Sequence, residues 1–194
     1  MAAKFGFKRI TIRILDGESP TVGENLFVLE GKTDKGATQT AKISGLSSEP
    51  VKTYGSDTAY YTSRKGVGNV AVDLGLLDMP DSTENAILGY TNSEGITLIG
   101  DDTEAPYCSI LIESTTSSGK ICAYGFFKGS FSKNDEELKT QEDKRDNLPT
   151  ENFGFTAESS SKEEYKGYYV GKVFNVDDAG LNKLKKALDM QVGA

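Results

Sequence analysis

Residues 70–90 read VAVDLGLLDMPDSTENAILGY, and this short stretch combines the pattern of a strand with the pattern of a helix. Apolar residues alternate with small or polar ones in its first half, which is typical of a half-buried β-strand, and the apolar set is Val70, Val72 and Leu74. Pro80 stands where a first helical turn tolerates proline, acidic residues follow it, and Gly89 is placed to end the helix. We therefore predict a strand that runs directly into a short helix.

Further strand patterns lie on both sides of this stretch. They occupy residues 26–32, 38–46, 95–100, 105–114, 120–132, 153–159 and 164–176. Residues 105–114 and 120–132 give the clearest hairpin, because a turn sequence separates two long apolar runs. In FGFKRITIRIL, residues 5–15, the alternation slips at Lys8–Arg9, which indicates either a β-bulge or an arm that joins a strand.

The C-terminal pattern predicts a second helix over residues 177–190. Asp177 can cap it, lysines suit its C-terminal half, and its apolar stripe is Leu181, Leu184 and Leu188. With eight to ten strands, two helices and no alternation of strand and helix, we predict a mainly β fold. We expect one domain over residues 1–194, an antiparallel β-sandwich or barrel with one or two flanking helices. Residues 1–15 would form an N-terminal arm or strand, and residues 47–66 a long loop.

Composition narrows the functional classes. The chain has no histidine, which removes the commonest general base and the commonest metal ligand. Its net charge of −7 opposes binding to a phosphate backbone. No stretch has the length and apolarity of a membrane span. The first fifteen residues carry basic side chains within their apolar run, unlike a signal peptide. We expect a soluble protein that does not bind DNA specifically and does not contact a membrane.

Several short motifs resemble parts of catalytic, cofactor-binding or metal sites, but each is better explained by ordinary local structure or by chance. GVGNVA, residues 66–71, matches a loose dinucleotide-binding pattern, but its glycines precede a strand and therefore predict a turn. The pattern S-x-x-K begins at Ser117, Ser130 and Ser159, without the motifs that accompany it in enzymes. Neither acidic group, at residues 101–104 and 134–137, has the spacing of a calcium loop. We therefore assign no catalytic, cofactor-binding or metal site, and we do not expect an enzyme.

The chain contains two cysteines. Cys108 and Cys122 flank a predicted turn and could face each other across the hairpin. They either form a disulfide or remain free thiols, and the absence of a secretory signal favours thiols.

Two tyrosine doublets lie in predicted strands or loops, at residues 60–61 and 168–169. Because neighbouring strand residues face opposite ways, one tyrosine of each doublet should pack inward.

The order of these pieces resembles the major tail protein family of long-tailed phages of Gram-positive bacteria. The similarity covers roughly residues 40–160. An aromatic-rich loop leads into the strand, short helix and ILG of residues 70–89, and residues 92–100 then give a polar turn and a short apolar strand. The long hairpin of residues 105–132 follows, and the polar run of residues 136–157 ends in a T-A strand.

The resemblance implies a structural virion protein. Members of the family form hexameric rings that stack into a tube, and their sheets join into a continuous barrel through which DNA passes without specific binding. Expected partners are other copies of the chain, a tape-measure protein and a tail-terminator protein. The protein would be made and assembled in the host bacterial cytoplasm and would reside in the tail. Residues 47–66 are the predicted ring-to-ring contact, so deletion of residues 47–55 should leave a folded subunit that cannot stack.

Two alternatives remain open from the sequence. One is the inner-tube protein of a contractile tail or of a type VI-like secretion system, which shares the ring architecture. The other is a carbohydrate-binding or adhesion β-sandwich, against which the absence of tryptophan weighs mildly. If the chain is a tail tube protein of a long-tailed phage, the role of residues 70–90 is structural. Asp73 should then face away from the core, and the helix should bury Ile87 and Leu88.

Overall fold

The described part of the chain is built mainly from antiparallel β-strands. A computed structural model describes residues 3–32, 35–138 and 149–192. Its elements, in chain order, are β1 (Lys4–Ile14), β2 (Leu26–Leu29), β3 (Ala37–Ser44), β4 (Val51–Gly55), β5 (Thr58–Ser63), β6 (Ala71–Leu77), α1 (Asp81–Leu88), β7 (Thr91–Ser93), β8 (Ile96–Leu98), β9 (Cys108–Thr116), β10 (Ile121–Ser132), β11 (Glu151–Glu158), β12 (Val170–Val176) and α2 (Asp178–Ala187). The predicted fold class, mainly β and antiparallel with two helices, is confirmed.

The described residues contain twelve strands, more than the eight to ten predicted. The difference arises because residues 47–66, predicted as a loop, contain the β4–β5 hairpin, and a second hairpin forms at β7–β8. The polar run from Lys133 to Asn152 is typical of a solvated loop or of a strongly exposed strand pair. Its central part, residues 139–148, lies outside the described residues.

One large sheet organises the fold, with eight strands of which seven follow the order β2-β1-β9-β10-β11-β6-β3. The long strand β10 serves two partners on one edge, β12 along its first half and β11 along its second half. The sheet curls until β3 meets the first half of β1, where the Thr38 hydroxyl donates a hydrogen bond to the Phe7 carbonyl over 2.8 Å. Along β1 the register with β9 shifts between Phe5 and Arg9, at the position where the sequence predicts either a β-bulge or an arm that joins a strand.

The strand and helix of residues 70–90 form as predicted. Val70, Val72, Leu74 and Leu76 are buried, whereas Asp73 is exposed on the opposite face of β6. Pro80 precedes α1, and its carbonyl accepts hydrogen bonds from the first turn of the helix. Ile87 and Leu88 enter the core inside the curled sheet, together with Ile10, Ile12, Ile110, Phe126, Phe153 and Phe155.

Gly89 ends α1 for two reasons. Its φ of 72° is a left-handed conformation that side chains disfavour, and a Cβ there would lie 2.0 Å from the Glu104 carbonyl oxygen. Only glycine therefore fits between the end of the helix and the segment that returns to β9.

The second core lies between α2 and the outer face of the sheet. Asp177 caps the helix, since its carboxylate accepts a hydrogen bond from the Gly180 amide over 3.0 Å. The predicted stripe is buried, with Leu181, Leu184 and Leu188 packed in a cluster that also contains Leu26, Leu111, Ala123 and Phe127. Gly125 lets α2 approach β10 closely, because a Cβ there would lie 2.6 Å from Leu188 Cδ1.

The two cysteines, which the sequence allows to face each other across the hairpin, do not do so. The register of β9 and β10 places Cys108 opposite Gly129 and Cys122 opposite Ser114. The turn lies closer to Cys122 than to Cys108, so the two residues fall at different levels of the hairpin. Both cysteines are free and buried, and burial raises the pKa of the Cys108 thiol to about 12.

The two tyrosine doublets differ. At residues 168–169 the prediction is confirmed, because Tyr168 is exposed and Tyr169 packs against the core. At residues 60–61 it is wrong, because Tyr60 is 85% exposed and Tyr61 is 60% exposed. Their hairpin pairs with no other strand of the described residues, and nearly all residues of its two strands are exposed.

Candidate functional site

The β4–β5 hairpin projects from the fold and is closed by a tight turn. Ser56 and Asp57 have φ values of 50° and 60°, which is the pair of left-handed residues that a two-residue type I′ turn needs. The Thr58 hydroxyl donates a hydrogen bond to the Gly55 carbonyl over 3.0 Å. At the base of the hairpin, the Ser48 amide donates to the Gly66 carbonyl over 3.3 Å. The hairpin is therefore an ordered projection, with its own hydrogen bonds.

Large apolar side chains cover this hairpin on both faces. Those most exposed to solvent are Val51, Tyr54, Tyr60 and Tyr61. Several exposed large apolar side chains on one short hairpin favour association with another molecule. Tyrosine is suited to such a role, since its ring supplies contact area and its hydroxyl stays hydrated before binding.

A second exposed hairpin, β7–β8, follows α1. Glu94 and Gly95 form its turn with φ values of 51° and 84°, and the Gly95 amide donates to Asn92 Oδ1 over 3.3 Å. The hairpin is held to α1 by a hydrogen bond of 3.2 Å between the side chains of Asn85 and Thr97. The sequence predicts this region as a polar turn followed by a single apolar strand, so the pairing of its two short strands was missed.

The large sheet also has unpaired edges. Within the described residues, β2 pairs only with β1, β3 only with β6, and β12 only with β10. An unpaired edge presents a row of backbone donors and acceptors that another chain can complete. The fold therefore offers both side-chain and backbone surfaces for association.

Lys133 fixes α1 to the end of β10. Its ammonium lies 2.8 Å from Glu84 Oε1 on α1 and 3.1 Å from Glu151 Oε2 on β11, and Glu136 Oε2 is 3.5 Å away. Burial alone lowers the pKa of Lys133, but the hydrogen bonds to Glu84 and Glu151 outweigh it and raise the pKa. The lysine therefore stays charged and holds three elements at one point.

A second ion-pair group joins β1, β9 and α2. Arg9 Nε lies 2.7 Å from Glu113 Oε1, and Lys185 Nζ lies 3.9 Å from the same oxygen. The hydrogen bond with Glu113 raises the pKa of Arg9. Glu113 is buried, and the cationic groups of Arg9 and Lys185 compensate its charge within the fold.

The weak chemical motifs occupy structural positions. Ser117 and Lys120 lie in the turn between β9 and β10, and the glycines of GVGNVA precede β6, which begins at the last residue of this motif. In the part of the chain that the structure describes, no group of histidine, cysteine, aspartate and glutamate side chains is arranged to hold a metal ion. None of the described helices combines the length and the apolar character that crossing a membrane requires.

A curled antiparallel sheet with projecting apolar hairpins and free edges defines a class of β-protein suited to association with other chains. A family model described as phage tail tube protein matches residues 2–191, and the chain belongs to this family. It is therefore a structural component of the virion tail that assembles into a tube, and the predicted membership of a phage tail protein family is confirmed. A search of curated proteins finds no match.

Proposed function

We propose that the chain is the major tail tube protein of a long, non-contractile tail, in which hexameric rings stack around a DNA channel. The family match supports a role in the tail tube. The exposed β4–β5 hairpin is the observation that supports stacking of the rings. Stacking of rings through this hairpin buries Tyr60 and Tyr61, which a single copy leaves in water. The large curled sheet, which joins strands from β1 through to β12, also supports our proposal that residues 1–194 form one domain.

Ring closure and charge fit the same proposal. In a ring, the free edges of β2, β3 and β12 can be completed by neighbouring copies, which removes edges that would otherwise aggregate. A hexamer of chains that each carry −7 has a net charge of −42. Acidic side chains at the channel wall would repel DNA and so let it slide through the channel. This repulsion acts over about 8 Å at physiological salt. Tape-measure and tail-terminator proteins are the further partners that we propose.

The test is removal of the hairpin. Deleting residues 47–55 would remove β4 and leave β5 without its partner strand. A variant that lacks both strands of the hairpin is therefore the better test. Residues 49–65 can be replaced by a short glycine linker, since the hydrogen bond from Ser48 to Gly66 already brings the ends together. We expect a folded subunit that forms no stacked rings in negative-stain electron microscopy. Tubes of normal appearance from this variant would contradict stacking through β4–β5.

Point variants separate the surface from the backbone. Tyr60→Ser with Tyr61→Ser should prevent stacking while changing the free energy of unfolding by less than about 0.5 kcal/mol, because both side chains are exposed. Tyr168→Ser is the matched control, since Tyr168 is an exposed tyrosine outside the hairpin. The wild-type end views test ring order: a symmetry other than sixfold would refute the hexamer and leave the tube role intact.

A further inference from the structure

Two lysines and two aromatic rings form a surface that we call the basic patch, made of Lys4, Tyr124, Lys172 and Phe174. Lys4 Nζ donates a hydrogen bond to the Tyr124 hydroxyl and lies 4.9 Å from the centre of its ring. Lys172 Nζ lies 5.4 Å from the Tyr124 ring and 5.5 Å from the Phe174 ring. The Lys4 ammonium is therefore held by the Tyr124 hydroxyl, and the Lys172 ammonium lies within cation–π distance of both rings.

The basic patch is open to solvent. It lies on the sheet face opposite α2, because Gly125 and Gly171, which alternate with Tyr124 and Lys172, are the residues that α2 approaches. Phe174 is 41% exposed. Within the described ranges, the structure gives neither lysine a carboxylate at salt-bridge distance. The patch therefore presents two uncompensated positive charges beside an exposed aromatic ring.

Residues 91–104, TNSEGITLIGDDTE, form a surface of opposite character that we call the acidic arm. It contains four carboxylates and no basic residue: Glu94, Asp101, Asp102 and Glu104. Its β7–β8 hairpin and the segment that follows also expose three aliphatic side chains, Ile96 at 63%, Leu98 at 52% and Ile99 at 66%. The arm thus combines negative charge with apolar area, which complements the basic patch in both respects.

The two surfaces lie at opposite ends of β10. The patch includes Tyr124, near the start of the strand, whereas Lys133 follows its end and contacts Glu84 on α1. The next residue of α1, Asn85, holds the acidic arm through its hydrogen bond with Thr97. The nine steps along the strand from Tyr124 to Lys133 span about 30 Å, so the arm does not reach the patch of its own chain. Two copies placed head to tail can bring them together.

We propose that the acidic arm of one copy docks on the basic patch of the next copy. This inference rests on the proposed function and names a contact within the assembly that is separate from the β4–β5 hairpin. The arm carboxylates pair with Lys4 and Lys172, and its aliphatic side chains cover Phe174. A contact between two different surfaces of identical chains is heterologous, and it closes into a ring or continues as a filament. Charge pairing also makes the association weaker at high salt.

Complementary charge reversal tests the pairing. The arm variant carries Asp101→Lys, Asp102→Lys and Glu104→Lys, and the patch variant carries Lys4→Glu and Lys172→Glu. In each variant alone, arm and patch no longer have opposite charges, so association should weaken at least about tenfold. In an equal mixture, each variant meets its complement, and association should return. Sedimentation velocity measures this for wild type, each variant and the mixture, with circular dichroism as the check on folding.

The matched control for the patch variant is Lys183→Glu with Lys186→Glu on α2. It makes the same change in charge as the patch variant but on the opposite face of the sheet, and it should associate as wild type. Either variant associating alone as strongly as wild type would overturn the inference, and so would a mixture that stays apart. Electron microscopy separates this from the proposed function. Normal tubes from both variants alone would keep the tube and reject the pairing, whereas restored association into particles that are not tubes would keep the pairing and reject the tube.

Discussion

Replacing Leu188 by alanine tests how α2 is held on the sheet. Leu188 is 1% exposed and lies in the cluster beneath the helix. Losing a buried leucine side chain costs about 2–5 kcal/mol, depending on how far the surroundings relax. Because Leu188 directly follows α2, where the chain can adjust, we expect a loss near the middle of that range, about 3 kcal/mol. This is a large part of the roughly 5–15 kcal/mol that stabilises a domain.

Gly125 supplies the second arm of the experiment. Alanine at this position places a Cβ 2.6 Å from Leu188 Cδ1, so Gly125→Ala overpacks the contact and should cost about 1–3 kcal/mol. In the double variant, the new methyl group occupies space that Leu188→Ala vacates. The double variant should therefore lose less stability than the two single variants combined, by at least about 1 kcal/mol.

Urea unfolding followed by circular dichroism measures all four proteins, with equal m values as the check that the unfolding reaction is unchanged. Leu138→Ala is the control for a leucine without burial, since Leu138 is 90% exposed. Strict additivity of Leu188→Ala and Gly125→Ala would refute the close approach of α2 to β10. A cost below about 1 kcal/mol for Leu188→Ala would refute its burial.

Three further predictions concern single positions. Asp177→Ala removes the α2 cap and should lower the free energy of unfolding by about 1 kcal/mol in urea titration, whereas Asp177→Asn should keep most of it. Gly89→Ala should cost about 1–3 kcal/mol or more, measured as a lower thermal midpoint, because its Cβ would meet the Glu104 carbonyl; no change would contradict that contact. Burial raises the pKa of Cys108 to about 12, so the native state keeps a proton that the unfolded state loses above about pH 9. Stability should therefore fall between about pH 9 and pH 12, by up to about 1.4 kcal/mol per pH unit, and Cys108→Ala should flatten this fall.

The parts of the fold that the sequence predicts well depend on local patterns. The stripe of Leu181, Leu184 and Leu188 has the period of a helix, and Asp177 and Gly89 mark helix ends by their backbone chemistry. These signals act over a few residues, so one chain segment contains all the information. The alternation before Pro80 predicts the buried face of β6 for the same reason.

Other features depend on contacts that local patterns do not reveal. The pairing of Lys133 with Glu84 joins residues on different elements, and nothing near either residue indicates the other. The register of β9 and β10 depends on where the turn sits, so the sequence left open whether Cys108 and Cys122 face each other. Tyr60 and Tyr61 are both exposed because their hairpin leaves the sheet, whereas strand alternation assumes a layer on one side.

The pairing of the first strand has a consequence for synthesis. Ile14 pairs with Cys108 and Lys4 with Thr116, so roughly a hundred residues separate the partners in β1 and β9. A ribosome that adds about 5–20 residues per second leaves β1 without β9 for about 5–20 s. During that time its isoleucines and its backbone edge are open to other nascent chains. We therefore expect translation speed and chaperone supply, rather than the stability of the finished subunit, to limit its soluble yield.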